Sequence, residues 1–246
     1  MNFINPPKKS PQGVTHHTFY SQVYNHEIGY NIYLPPGYGD SGERYPVPYH
    51  LHGWTDNEST HIWLMENICR NRRAITVFPN NSPVIEDREN LPVEDMFINE
   101  LIPHIDRQYR TNADRRMISG FSMGGGMAFC YAVKYPELFS RVTAYAATFH
   151  HYFHKGYNGV GQPQENAAAL YAAMMQEKRH LEEDGVLWLL RQNAAKIRGL
   201  QIDIRVGTDD VLICENEIMR LYLDSLGIAH EYTVVQGAGH ELGRIL

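Results

Sequence analysis

Residues 118–127 read ISGFSMGGGM, and no other stretch constrains the fold as tightly. Ser122 stands between Gly120 and Gly124 in a G-x-S-x-G pattern, with RRMIS leading in and GGMAFCYAV leading out. A serine at the apex of a sharp strand-to-helix turn needs neighbours without side chains, because a Cβ at the flanking positions would collide with the bend. With 20 glycines in 246 residues, chance would supply the pattern about 0.06 times, before any strand-and-helix context is required. The turn is expected to lift the hydroxyl to the carboxyl edge of a sheet, where open α/β sheets place their ligands. The N–H groups of the following helix would point at the same spot.

The rest of the chain supports such a sheet. HEIGYNIYLPP reads as a strand ended at Pro35-Pro36-Gly37. YPVPYHLHG is a second extended run in which Pro46 and Pro48 restrict the expected strand to Tyr49–Leu51. STHIWLMENICRNRR has Ile62, Met65 and Cys69 at helical spacing, and by that spacing Trp63 reads as core. AITVFPN is a short apolar strand of the kind buried on both faces. VEDMFINELIPHIDRQY places Ile98, Leu101, Ile102 and Ile105 on one helical face, with a kink expected at Pro103. Glu100 on this helix reads as a surface or capping carboxylate. After the strand RVTAYAATF comes an insertion at about 150–198, holding a His-rich loop and two helical stretches. Strand and helix then alternate again through LQIDIRV, ENEIMRLYLDSLG and HEYTVVQ. The alternation predicts an α/β class, with a mostly parallel sheet, helices on both faces and one domain over 1–246.

Composition narrows the functions. A formal net charge of -6 with both signs scattered gives no phosphate-tracking surface, which argues against nucleic acid. No apolar run approaches the roughly 20 residues that cross a bilayer, so no membrane partner is expected. Cys69, Cys130 and Cys214 are few and far apart and read as buried thiols. The chain therefore reads as cytoplasmic as it stands, or secreted if a leader preceded it.

A serine hydroxyl is a weak nucleophile unless a base takes its proton and an acid orients that base. The order serine, acid, histidine is expected for this turn. His240, in the loop QGAGHELG after the last strand, is the histidine that reaches the carboxyl edge. Asp209 and Asp210, in VGTDD at the end of another strand, are the candidate acids, and local chemistry does not separate them. An oxyanion needs donors. HLHGW after an early strand offers the amide of Trp54 beyond Gly53, and the turn itself offers the amide of Met123.

Together these stretches resemble the α/β-hydrolase superfamily and within it the putative-esterase family of feruloyl, acetyl-xylan and tributyrin esterases and S-formylglutathione hydrolase. The resemblance rests on YNIYLPPGYGDSGERYPVPYHLHGW, ELIPHIDRQYRT, RMISGFSMGGGMAFCYAVKYPELF, VGTDD and GAGHE. It implies a serine carboxylesterase with Ser122, Asp210 and His240 as its triad, Asp210 being three residues beyond Gly207 in the family's G-x-x-D pattern. The same triad would also serve an acyltransferase or thioesterase. The resemblance also implies a C-terminal helix after the histidine. Only six residues follow His240, so little packing is expected beneath its loop.

FHHYFHKGYNGVG gathers His150, His151 and His154 with aromatics. Without nearby cysteines or a helical H-x-x-x-H it suggests no metal site, and serine chemistry needs neither metal nor cofactor. His151, Tyr152 and Trp54 are instead the expected substrate-lining residues. The expected partner is a small-molecule ester or an ester-decorated saccharide; assembly as a homo-oligomer is left open.

Overall fold

In the computed structural model, residues 2–66, 69, 73–81, 92–149, 159–176 and 185–246 are described. Eight strands form one mostly parallel sheet in the order β1-β2-β4-β3-β5-β6-β7-β8. The chain divides into two compact units, Met1–Ile118 and Ser119–Leu246.

The first unit opens with β1 (Val14–Ser21) and β2 (His26–Tyr33), an antiparallel hairpin running from Val14↔Tyr33 to Ser21↔His26. β1 lies ahead of the first strand expected from the sequence. It is an edge strand with a mostly exposed polar face, so its apolar pattern is thin. Glu100 closes its turn, accepting hydrogen bonds from Ser21 Oγ at 2.5 Å and from the amides of Gln22 and Val23 at 2.9 and 3.1 Å. Its carboxylate is a cap, as expected.

β3 (Tyr45–Leu51) runs parallel to β4 (Thr76–Pro79), which pairs antiparallel with β2. β3 is longer than expected because its two prolines do not break it. Pro46 and Pro48 are two residues apart, so both missing amides fall on the same edge of the strand. The Pro46 carbonyl still accepts the Ile75 amide at 3.0 Å.

Helical hydrogen bonds join the Met65 amide to His61 O and the Cys69 amide to Met65 O, and Ile62, Met65 and Cys69 are buried. Trp63, in contrast, is 47% exposed, because it falls on the outward side of that turn. The expected kink at Pro103 takes a specific form. A short helix α1 (Pro92–Asp95) widens into a π-helix over Met96–Leu101 before α2 (Ile102–Gln108) resumes. A proline without an amide proton commonly leaves such a wide turn just upstream. β5 (Thr111–Phe121) runs through the boundary between the units.

Buried polar groups hold the loop after β3. His52 Nδ1–H donates to Gly53 O at 2.7 Å, and His52 Nε2 accepts the Asn81 amide at 3.1 Å. Asn81 completes the clasp by accepting the His52 amide at 2.9 Å and donating to His52 O at 3.1 Å. Nearby, His50 Nε2 meets His61 Nδ1 at 3.0 Å, and His61 Nε2 meets Asp56 at 3.3 Å.

In the second unit, α3 (Met123–Lys134) is apolar nearly all round and correspondingly buried. β6 (Arg141–Tyr145) pairs in parallel with β7 (Gln201–Gly207), and β7 with β8 (Glu231–Val235). α4 (Ala167–Gln176) and α5 (Val186–Asn193) lie between β6 and β7, and α6 (Ile213–Ser225) between β7 and β8. Cys69, Cys130 and Cys214 are buried thiols that form no disulfide. Among the described residues, no helix is long and apolar enough to cross a membrane.

The His240 loop has packing beneath it. α7 (Leu242–Ile245) follows it directly. Leu242 and Ile245 are buried with Phe121, Tyr145, Val206, Ile213 and Ala238 in one apolar cluster. Arg205 also fixes the end of the chain by donating to Leu246 O at 3.1 Å.

Two outcomes follow. Ile245→Ala removes a side chain only 1% exposed and should cost about 2–4 kcal/mol, read as a lower urea midpoint with an unchanged slope. The second concerns pH. Burial first, then neighbouring histidines, pushes His50 well below the usual 6.5 for histidine; burial likewise lowers His52. Below about pH 6.5 the unfolded chain therefore binds protons that the folded chain refuses. The stabilisation is complete above that pH and declines beneath it. The urea midpoint should be lower at pH 5.5 than at pH 7.5, and a flat or rising midpoint would contradict this.

Candidate active site

Ser122 sits where β5 ends and α3 begins, with φ 55° and ψ −118°. A non-glycine residue with positive φ is strained, and such strain persists only where the surroundings over-determine it. Here the Ser122 amide donates to Tyr145 O at 2.9 Å, and Ser122 O accepts the amides of Thr148 at 3.0 Å and Gly126 at 3.1 Å. The flanking glycine has a steric role: a Cβ on Gly120 would lie 2.1 Å from Gly124 O. The strand can therefore pass against the first turn of α3 only while residue 120 has no side chain. Met123 is the first residue of α3, so its amide is one that the helix leaves without an internal acceptor.

Ser122 Oγ lies 3.0 Å from His240 Nε2. His240 Nδ1 lies 3.0 Å from each oxygen of Asp210. The carboxyl fixes the tautomer, since Nδ1–H donates to Asp210 and Nε2 is left to accept the serine proton. The Asp210 side chain is fully buried, at 0% exposed, whereas His240 is 33% exposed. Asp210 also accepts the Leu212 amide at 2.8 Å. The His240 ring packs on Phe121 at 4.7 Å between centroids.

The two loops that carry the acid and the histidine are joined. The Asp209 amide donates to Ala238 O at 3.0 Å, the Thr208 amide to Val235 O at 3.0 Å, and the Gly237 amide to Thr208 Oγ1 at 2.8 Å. Gly207 is required at this junction, because a Cβ there would lie 1.9 Å from Ala238 O.

Asp210 and Asp209 now differ clearly. Asp210 is buried against His240, while Asp209 is exposed and accepts from Thr208 Oγ1 at 3.1 Å. Asp203 pairs with Arg205, and Asp224 with Arg220. Trp54 belongs to the first unit, in the loop after β3, with 54% of its surface exposed. His151 and Tyr152 lie outside the described residues, as do His150 and His154.

Sequence reasoning missed one neighbour of the serine. Thr148 Oγ1 is 3.5 Å from Ser122 Oγ. RVTAYAATF reads as a continuous strand through Phe149, whereas β6 ends at Tyr145 and Ala146 adopts φ 42°. No local residue signals that bend, because its supports come from elsewhere in the chain.

A family model described as "Putative esterase" matches residues 21–237. An endo-1,4-beta-xylanase/feruloyl esterase of Xylanibacter ruminicola is 32% identical over 145 residues, which is 50% of this chain and 20% of that protein. The chain thus spans a small part of that relative's length. Among solved structures, a ferulic acid esterase superposes with a TM-score of 0.74 at 23% identity, covering 94% of this chain and 92% of that one. The S-formylglutathione hydrolase of Staphylococcus aureus gives 0.71 at 17% identity, covering 93% and 92%. Likeness at these identities establishes the fold, the α/β-hydrolase architecture expected from the serine turn. The family match extends over most of the sequence, and the chain belongs to the putative esterase family.

Proposed function

We propose that this chain is a serine carboxylesterase that hydrolyses short-chain or aromatic esters, of the acetyl or feruloyl type, through an acyl-enzyme. The reading is carried by one observation: the continuous hydrogen-bonded chain from the buried Asp210 through His240 to Ser122 at the strained turn. Family membership and a relative named as a feruloyl esterase support the choice of ester substrates.

In this mechanism Ser122 Oγ attacks the ester carbonyl as His240 Nε2 takes its proton. The imidazolium that forms is stabilised by Asp210, which keeps its own negative charge. The carbonyl oxygen becomes an oxyanion and is met by the amide of Met123 at the start of α3. The amide of Trp54, in the HLHGW loop beyond Gly53, is proposed as the second donor. His240 returns the proton to the leaving alkoxide, so the alcohol departs and the acyl group stays on Ser122. A water molecule then gives its proton to His240 and its oxygen to the acyl carbon, releasing the acid and restoring the serine. Aromatic side chains at Trp54 and Tyr152, with His151, are proposed to contact the substrate.

The test is direct. Ser122→Ala should reduce turnover of p-nitrophenyl acetate by about 10⁴-fold or more and abolish labelling by a fluorophosphonate probe. Asp210→Asn should lower kcat by about 10³- to 10⁴-fold while leaving KM nearly unchanged, because the imidazole loses its tautomer and not its substrate. Full turnover by pure Ser122→Ala protein would refute the assignment. Products that pass mainly to an added alcohol, and not to water, would mark an acyltransferase using the same residues.

A further inference from the structure

The first turn of α6 carries two polar residues on its inward face. Glu215 and Asn216 are both 0% exposed. Glu215 occupies the same helical stripe as the buried Ile218, Met219 and Tyr222, where an apolar side chain is the ordinary occupant. A carboxyl group placed there is unfavourable unless it supplies something that an apolar group cannot.

What these side chains supply is a set of partners for the backbone beyond β6. The Phe149 amide donates to Glu215 Oε2 at 2.9 Å. The Ala147 amide donates to Asn216 Oδ1 at 3.3 Å, and Asn216 Nδ2 donates back to Ala147 O at 2.9 Å and to Leu212 O at 2.9 Å. Between these two anchors the Thr148 amide donates to Ser122 O at 3.0 Å, and just before them the Ala146 amide donates to Arg205 O at 2.7 Å. Four successive amides, 146–149, are thus taken by three different segments of the chain: β7, the Ser122 turn and the first turn of α6. Two residues in this knot, Ser122 and Ala146, have positive φ, at 55° and 42°.

The same turn of chain holds the acid. The Leu212 amide donates to Asp210 Oδ1 at 2.8 Å and the Ile213 amide to Asp210 O at 3.1 Å. The Gly159–Gly161 segment covers it from outside: the Gly161 amide donates to Val211 O at 2.7 Å, and a Cβ on Gly159 would lie 3.0 Å from Glu215 Cγ.

We infer that Glu215 and Asn216 are positioning residues for the reaction at Ser122. They clamp Ala147 and Phe149, and through Thr148 they set the angle of the Ser122 turn relative to the His240–Asp210 pair. The inference rests on the reading of Ser122 as the nucleophile. Its chemistry is geometric: a small displacement of a nucleophile from its base lowers turnover by about 10- to 100-fold without weakening substrate binding in proportion.

The experiment compares Glu215→Ala, Glu215→Gln and Asn216→Asp with wild type on p-nitrophenyl acetate. It includes fluorophosphonate labelling rates and amide hydrogen exchange over 146–149. Glu215→Ala should lower kcat and the labelling rate together by about 10- to 100-fold, with KM within about threefold. Glu215→Gln keeps an acceptor for Phe149 and should stay within about threefold of wild type. Asn216→Asp keeps the acceptor for Ala147 but loses both donors; it should fall about tenfold, and it reads the clamp if Glu215→Ala does not fold. Exchange at 147–149 should accelerate by about tenfold or more in Glu215→Ala or Asn216→Asp.

Tyr222→Phe is the stability control. It loses the 2.9 Å bond to Leu187 O two turns further along α6, and it should lower Tm while kcat stays within about twofold. The clamp is overturned if folded Glu215→Ala or Asn216→Asp keeps kcat within about twofold, if their exchange is unchanged, or if Tyr222→Phe loses as much activity. Wild type that neither turns over ester nor labels would overturn both this inference and the esterase reading; active wild type with equally active variants would overturn the clamp alone.

Discussion

The backbone at Ser122 is held where a residue with a side chain is strained, and much of the second unit is organised around holding it there. A positive φ at a non-glycine residue costs of order 1–3 kcal/mol, and it persists because three backbone hydrogen bonds meet at that residue. Relaxing the strain would require the strand and helix to separate, and Gly120 shows how closely they are packed, with no room for one added carbon atom. The bend is therefore a consequence of packing. It leaves Ser122 partly exposed at the start of α3.

The partners of the serine are held by a second junction of the same kind. Gly207 lets the end of β7 press on Ala238, which brings the loops after β7 and β8 into contact before either reaches its functional residue. Three hydrogen bonds then fix their relation. With the loops fixed, the contrast in exposure between Asp210 and His240 is chemically useful. The buried carboxyl cannot be solvated away from the imidazole, and the imidazole keeps one nitrogen at the surface where a proton must be exchanged.

Much of this was legible in the sequence. The serine turn, the alternation of strand and helix, and the placement of His240 after the last strand all follow from local patterns. The choice between Asp209 and Asp210 does not, because neighbouring aspartates differ only in which side of the loop faces inward, and that is decided by the contact with Ala238. β1 was obscure because an edge strand carries little apolar signal. The full length of β3 was obscure because the spacing of Pro46 and Pro48 matters more than their number. The end of β6 at Tyr145 was hidden for a different reason: its bend is imposed by Asn216 and Glu215, more than sixty residues away. Helical periodicity does reveal Glu215 as a charge on an apolar stripe, but it says nothing about which amide that carboxyl meets.

This difference separates two levels of precision in the site. The parallel strands bring Ser122, Thr148, Asp210 and His240 to one edge of the second unit, and that coarse alignment needs only the apolar core and the ladder. A proton transfer over 3.0 Å needs more, because a strand end can shift or rotate without breaking any ladder bond. The additional constraint comes from polar side chains buried where apolar ones would pack: Asp210 against the Leu212 amide, Asn216 around Ala147, and Glu215 on Phe149. Each satisfies a backbone group that has left the ladder, so each converts a free loop end into a fixed one. All three lie within seven residues, on the approach to α6 and its first turn. Movement of that turn would therefore displace the acid and the backbone around the nucleophile together, and the geometry of the site is set by one short segment of chain as much as by the sheet beneath it.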